Sequence, residues 1–486
     1  MQSLHHQEMK DFRKIVFGKT DAQEEGAEYP DLLINGYLPV DNINEQVLNT
    51  NKFLFLGYKG SGKSALSEHL KLTSDENTIV DQQSLKNFPY KTFSKIVSGE
   101  SEPEVKHKLA WRWLLLVRVL QELIHDSDAK SSSDAELQKA TELLVQAGLM
   151  EVANISDMVK KTSSNTFKIS IKAFAFEHTT QQENADISLD WVVEFVKRLI
   201  IGFKESHRHL LVIDGVDEIL TSREIQYQSV VAMINEAKDL NNYFRNNDLP
   251  VKIIVLCRTD IFERLPDPNK NKIRRDCSYT FNWYKEGSDT ANASDLITIA
   301  NMRTRLVYPE VQDTFKTFFP PHYNRNDTPS VLLELTRHTP RDFMQLLVSI
   351  QKSCYNANVT LNDIDKGIAD YSIEYFLPEI KDEMAGYIPS NLIDAIISVI
   401  ASFRSREFSY KDFDKAIRQS PTMSSLSSAE VLRVLYDCSA IGHVYPYGYG
   451  KQTRVTFKFR NRNSAFTPTD RIILHKGLWK GLNVNY

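Results

Sequence analysis

Eight consecutive residues, Gly57-Tyr58-Lys59-Gly60-Ser61-Gly62-Lys63-Ser64, place three glycines, two of them in the spacing Gly57-x4-Gly62, ahead of Lys63 and the Ser64 hydroxyl. Phosphate oxygens need several donors converging on a concave surface. Backbone N–H groups supply them only where side chains do not obstruct, which is the use of the glycines. The apolar run Phe53–Leu56 precedes this segment and reads as a buried strand. Ala65–Leu72 follows with a helical pattern, so the partial positive charge of a helix N-terminus points at the phosphates. In this arrangement Lys63 bridges β- and γ-phosphate oxygens and the Ser64 hydroxyl goes to Mg²⁺. The expected ligand is ATP with Mg²⁺, cradled by Gly57 through Ala65.

A second chemical feature is Leu210-Leu211-Val212-Ile213-Asp214-Gly215-Val216-Asp217-Glu218. A carboxylate ending a buried strand sits beside a phosphate loop in an open α/β sheet, so Asp214 is expected to hold the metal through water. Asp217 or Glu218 then orients the attacking water, with Asp217 favoured. Val255-Leu256-Cys257-Arg258 ends another apolar run in a cation, and Arg258 is expected to contact the γ-phosphate. In Arg337-His338-Thr339-Pro340-Arg341-Asp342-Phe343, Thr339 is suited to cap a helix and Pro340 to its first position. Arg341 then projects from the first turn, where a guanidinium suits bidentate phosphate contact. Arg274-Arg275 act on a neighbour's ATP in one reading and are solvated charges in the other.

These residues need a frame of parallel strands. Short apolar runs at 53–56, 210–213, 251–257 and 279–283, with long helices between, indicate a parallel sheet covered on both faces. The expected fold is α/β, a P-loop NTPase parallel sheet with a helical insertion, followed by a mostly helical stretch and then three helices and two strands. The expected division is an N-terminal segment 1–48, an ATPase domain 49–285 with an insertion at about 98–190, a helical domain 286–383 and a C-terminal domain with basic tail 384–486. Within the insertion, Trp111, Leu114, Leu115 and Val119 recur at helical spacing and read as core. Phe167–Phe176 alternates as a strand does, and Trp191–Phe203 reads as helix.

With 486 residues, 42% hydrophobic and 25% charged, the chain has globular composition and room for several domains. A net charge of -4 argues against general polyanion binding, so any nucleic-acid surface is local. Cys257, Cys277, Cys354 and Cys438 are far apart, without metal-site spacing or a disulfide framework. The start lacks an apolar signal region, and Arg112 and Arg118 interrupt the longest apolar stretch, so a cytoplasmic protein without a membrane span is expected.

Taken in order, the four motifs resemble the AAA+ and STAND classes of P-loop ATPases. Asp214 to Glu218 and Arg258 resemble the STAND arrangement, and Thr339-Pro340-Arg341-Asp342 before a winged-helix pattern resembles the initiator and archaeal-ATPase branch. Phe17-Gly18-Lys19-Thr20-Asp21-Ala22, Phe459-Arg460-Asn461 and Ile472–Leu478 are similar to the ends of a bacterial family of stand-alone ATPases. The resemblance implies that 286–383 is a helical lid and 384–486 a C-terminal winged helix, and it implies a nucleotide-driven switch that often oligomerises, found commonly in phage-defence systems. AAA+ proteins usually place a glutamate directly after the metal-binding aspartate. Gly215 stands there instead, which suits slow turnover.

From Ile441 onward there are eight Lys or Arg against one acid, Asp470. Lys451, Arg454, Lys458, Arg460 and Arg462 surround a wing, with Tyr445, Tyr447 and Tyr449 just before it. This region either binds DNA or docks within the chain as a clamp. Three functions follow: a regulatory switch controlling assembly or a separate effector, plausible in antiviral defence; a DNA-binding ATPase of initiator or transposition-helper type; and a non-hydrolysing nucleotide-binding scaffold.

Overall fold

A computed structural model describes residues 10–97, 102–131, 134–164, 189–216, 224–284, 291–446 and 453–484. Asp217, Glu218, Phe167–Phe176, Tyr447, Tyr449 and Lys451 lie outside the described residues. The chain divides into a sheet unit, residues 41–59 and 63–281, and a helical unit, residues 1–40, 60–62 and 282–486.

The sheet unit is built on β1 (Leu54–Gly57), β2 (Thr78–Ser84), a short antiparallel pair β3 (Lys130–Ser131) and β4 (Phe203–Glu205), then β5 (Arg208–Asp214), β6 (Val251–Arg258) and β7 (Ser278–Thr280). Five of these form one parallel sheet in the order β2-β5-β6-β1-β7. The fold is therefore α/β, with the parallel sheet of a P-loop NTPase. Near-continuous burial along β1, β5 and β6 is what a sheet covered on both faces requires. One consequence for the site is that β6 lies between β1 and β5. Gly57, Arg258 and Asp214 thus end three adjacent strands on one edge.

Much of the sheet's cover is the helix Pro103–His125, packed with Glu224–Asn246 and Leu189–Ile200. Trp111, Trp113, Leu114 and Leu115 are fully buried in the same apolar core as Leu54, Ile213 and Val255. The indole N–H groups that this burial removes from water are satisfied, Trp111 by Ser229 Oγ at 3.1 Å and Trp113 by Thr162 Oγ1 at 3.2 Å. The helix expected over Trp191–Phe203 stops at Ile200, because Phe203 pairs instead with Ser131 as a strand.

The helical unit runs through Asp295–Arg305, Thr328–Glu334, Pro340–Ser353 and Leu361–Asp370 to a π-helical turn, Tyr371–Phe376, and then Leu377–Ala385. A hairpin, β8 (His322–Tyr323) and β9 (Asn326–Asp327), turns through Asn324 and Arg325, both at positive φ. Three helices, Ser390–Ser402, Tyr410–Gln419 and Ser428–Asp437, meet an antiparallel sheet of β10 (Glu407–Phe408), β11 (Ile441–Pro446), β12 (Thr453–Thr456) and β13 (Arg471–Leu474) in the order β10-β13-β11-β12. This is a winged-helix arrangement. The N-terminal stretch belongs to this unit too. Phe12 packs on Phe17, Phe318 and Phe319, and Arg303 is buried against Glu25 at 2.7 Å and the Phe17 carbonyl. Gly18 has φ +109°, and a Cβ there would meet Glu25 Oε2 at 2.1 Å, so the Phe-Gly step needs glycine. Among the described residues, no helix is long and apolar enough to cross a membrane.

Candidate functional site

Within the sheet unit the helix Lys63–Thr73 starts immediately after the glycine-rich loop. Lys63 Nζ donates to the carbonyls of Gly57 at 3.1 Å and Tyr58 at 3.2 Å. Its ammonium is thereby held over the loop, where a phosphate oxygen can take over from either carbonyl. Ser64 Oγ donates to Asp214 Oδ2 at 2.5 Å, across 150 residues of sequence. The hydroxyl and the carboxylate expected to serve one metal ion are therefore side by side. An all-oxygen pair of this kind fits a hard cation such as Mg²⁺.

Gly215 sits at φ +78°, and its N–H donates to Asp214 Oδ1 at 2.8 Å. The chain turns left-handed directly after the metal-side carboxylate. A glutamate at that position would put a Cβ on left-handed, strained backbone. The departure noted in the sequence thus has a backbone cause. Arg258, ending β6, forks onto Asp260 with Nε–Oδ1 at 3.0 Å and Nη2–Oδ2 at 2.8 Å. To reach a phosphate it must exchange that carboxylate for another anion. Arg274 pairs with Glu263 and lies over the Phe262 ring, while Arg275 is exposed.

The loop's tip, Gly60–Gly62, belongs to the helical unit. Gly60 (φ +79°) and Gly62 (φ +94°) both take conformations that L side chains avoid. A Cβ on Gly60 would stand 3.0 Å from Arg341 Cβ and 3.2 Å from Thr339 Oγ1. Arg341 N donates to Gly60 O at 3.3 Å. Thr339 caps the helix Pro340–Ser353 by accepting from Asp342 N, with Pro340 at its first position. The cap geometry carries the Arg341 backbone to the loop. The Arg341 guanidinium lies 4.0 Å from Glu379.

Trp283 is a loop contact that sequence reasoning took only as the end of a strand. β7 ends at Thr280, and the Trp283 indole N–H donates to Ser61 O at 2.8 Å, with its ring 3.9 Å from the position of a Gly62 Cβ. No spacing rule in the sequence signals a pairing across 222 residues. Trp283→Phe removes this hydrogen bond and is expected to weaken ATP binding by about 1 kcal/mol, roughly fivefold. Titration calorimetry measures that loss. The ATP-dependent change in intrinsic tryptophan fluorescence should vanish in the same variant.

The basic tail is largely occupied within the helical unit. Lys458 Nζ donates to Ser464 O at 2.6 Å, Arg471 pairs with Glu407 at 2.7 Å, and Lys476 pairs with Glu334. Arg460 lies over the rings of Tyr284, Phe457 and Phe459 at 5.5, 5.8 and 5.5 Å. Ser372 Oγ, on the π-helical turn, donates to Gly477 O at 2.5 Å and accepts from Gly481 N at 2.8 Å. A Cβ on Gly477 would meet Leu335 O at 2.6 Å, so only glycine permits this approach. His475 stacks on Phe376, and His338 stacks on Phe459 with its Nε2 buried and unpartnered. Burial, with nearby arginine charge, pushes both histidines down to about 3, so both are neutral near pH 7.

No family model matches the chain, and no curated protein matches it. Among solved structures it is similar to the Orc1 protein of Aeropyrum pernix in complex with DNA, at 11% identity over 94% of this chain and 94% of that chain, with a TM-score of 0.36.

Proposed function

We propose that this chain is an ATP-binding and ATP-hydrolysing regulatory switch of the AAA+ and STAND-like kind. The observation that carries the reading is the Ser64–Asp214 contact at the edge where Gly57, Arg258 and Asp214 end neighbouring strands. In the proposal, Gly57 through Ala65 bind the triphosphate through backbone N–H groups, and Lys63 leaves the Gly57 and Tyr58 carbonyls for the β- and γ-oxygens. Ser64 and Asp214 would hold Mg²⁺, which supplies neutralisation of phosphate charge. Asp217 or Glu218 orients water. Arg258 leaves Asp260 when a γ-phosphate is present, and Arg341 approaches the nucleotide from beside Gly60. Gly215 in place of a glutamate fits slow turnover.

The proposal extends to a cytoplasmic switch whose ATP state controls self-assembly or a separate effector, the role that the sequence resemblance associates with antiviral defence. Cys257, Cys277, Cys354 and Cys438 are not joined by a disulfide, which fits a reducing compartment. Internal docking of the basic tail supports the clamp reading over DNA contact, since Lys458, Arg460, Arg471 and Lys476 all have intramolecular partners.

Asp214→Ala tests the core of this. Phosphate release is expected to fall at least about a hundredfold, the scale of a lost electrostatic contact at a transferring phosphoryl group. Nucleotide binding in EDTA should persist. Mass photometry should then show that ATP changes the oligomeric state of the unaltered chain and not of the variant. Unchanged turnover in Asp214→Ala would remove the hydrolytic reading, and an ATP-independent mass distribution would remove the switch.

A further inference from the structure

The parallel strands of the sheet unit begin on the edge away from the phosphate loop, roughly 20 Å from it along β5 at the rise of a strand. That edge holds a cavity of about 560 Å³. Its floor includes the buried apolar residues Phe53, Leu210, Leu249 and Val251. Around it stand four cations, Arg208, Lys238, Arg245 and Lys252, and one acid, Asp248.

Among the described residues, none of the four cations forms an ion pair. Lys252 Nζ donates to the carbonyls of Val47 and, at 2.8 Å, Thr50, and Arg245 donates to Asn242 Oδ1 at 2.8 Å. These contacts hold the cations in place and leave their charge unbalanced. Burial and the charges of Arg208 and Arg245 push Lys252 down to about 8, so the like charges act on one another. Gathering like charges around a concavity destabilises the empty chain, and a bound anion reverses that cost. A cavity of this size with an apolar floor and a few polar groups is the form of a small-molecule site.

We propose that this cavity is a second ligand site, taking a small organic phosphate of the nucleotide class, with its phosphate against Lys238, Arg245 and Arg208 and its ring on the apolar floor. An extended nucleic acid backbone would need a stripe of cations along a surface; here they ring a hollow. The inference does not depend on the proposed ATPase reaction.

The test uses the full-length Lys63→Ala chain, in which the phosphate loop is disabled, with AMP and inorganic pyrophosphate as separate probes at low salt. Calorimetry is expected to show one saturable site per chain for AMP, and weaker binding of pyrophosphate, which lacks the ring. Adding Lys238→Gln and Arg245→Gln should weaken AMP roughly tenfold or more, as loss of charge-assisted hydrogen bonds implies. The probe-dependent rise in melting temperature should disappear with it. Lys238→Arg with Arg245→Lys keeps the charge and should keep most of the binding, which separates ligand contact from misfolding. No saturable AMP binding, or binding indifferent to the Gln pair, overturns the proposal. So does a single-stranded oligonucleotide that binds through these residues while AMP does not.

Discussion

Lys63→Ala is expected to lower ATP affinity by about 3 kcal/mol, roughly a hundredfold, and to abolish measurable phosphate release. In the chain as it stands, Lys63 Nζ is hydrogen-bonded to two loop carbonyls at 3.1 and 3.2 Å. Those bonds join an ionised donor to neutral acceptors and are worth about 1.5–3 kcal/mol each net of solvent. A β- or γ-phosphate oxygen is a charged acceptor, so the ammonium gains an ion pair on top of the hydrogen bond. Exchange of one partner for the other is therefore favourable only when the triphosphate arrives, and alanine forfeits the gain. The fold should survive, because Lys63 is only half-buried at a helix start and alanine is an excellent helix former. Calorimetric ATP affinity with circular dichroism as a control decides the matter. Affinity within threefold of the unaltered chain would mean that the triphosphate does not sit on this loop.

What could be read from the sequence was local. The loop, the strand before it and the helix after it are contiguous, so their types and order suffice. Asp214 and Arg258 were legible because each ends a short apolar run, and a parallel sheet gathers strand ends along one edge. The Thr339-Pro340 cap was legible from the same kind of local chemistry. Contacts made by packing were not. Trp283 meets Ser61 across 222 residues, and Ser372 meets Gly477 across 105. β10 and β13 were missed because two and four residues are too few for a periodicity. The overrun of the 191–203 helix has another cause. Phe203 is a good strand residue, and only its partner at 131 reveals it.

The left-handed turns show how the two kinds of information join. Gly60, Gly62 and Gly215 are visible as letters, but their reasons differ. Gly60 needs room against Thr339 and Arg341, whereas Gly215 needs a positive φ to fold its N–H back onto Asp214. In each case the glycine sets the position of a chemical group through backbone shape.

The same dependence of a site on its support gives the largest stability effect expected here. Arg337→Ala should destabilise the chain by about 3–5 kcal/mol, the cost of leaving buried carboxylates without their cation. Arg337 is 7% exposed in its side chain and Asp342 is 0%. Its Nε and Nη2 donate to Asp342 at 2.8 and 3.1 Å, and Nη1 donates to Glu383 Oε1 at 2.5 Å. Tyr375 donates to Asp342 at 2.9 Å, and the guanidinium lies over Phe376. Burial opposes charge on Asp342, but the Arg337 charge and the hydrogen bonds prevail and hold its carboxyl below its ordinary value of 3.8. A lowered carboxylate pKa contributes stability above that value and loses it as pH falls through the folded one. In the variant no cation opposes burial at Asp342, its carboxyl is pushed up, and the chain recovers stability by taking a proton there, so the gap should be widest at high pH and narrow steadily as pH falls. Urea unfolding across pH measures it. Replacing all three groups, as Arg337→Met with Asp342→Asn and Glu383→Gln, should cost less than Arg337→Ala alone, because no buried charge is then left unpaired. A functional loss should accompany the structural one. Asp342 N is the donor that Thr339 caps, and Thr339 and Arg341 are the residues against Gly60. Loosening the Arg337–Asp342 pair loosens the turn that touches the phosphate loop, so Arg337→Ala should weaken ATP binding even at temperatures where the chain remains folded. Undiminished ATP affinity in a folded Arg337→Ala chain would separate the buried pair from the site.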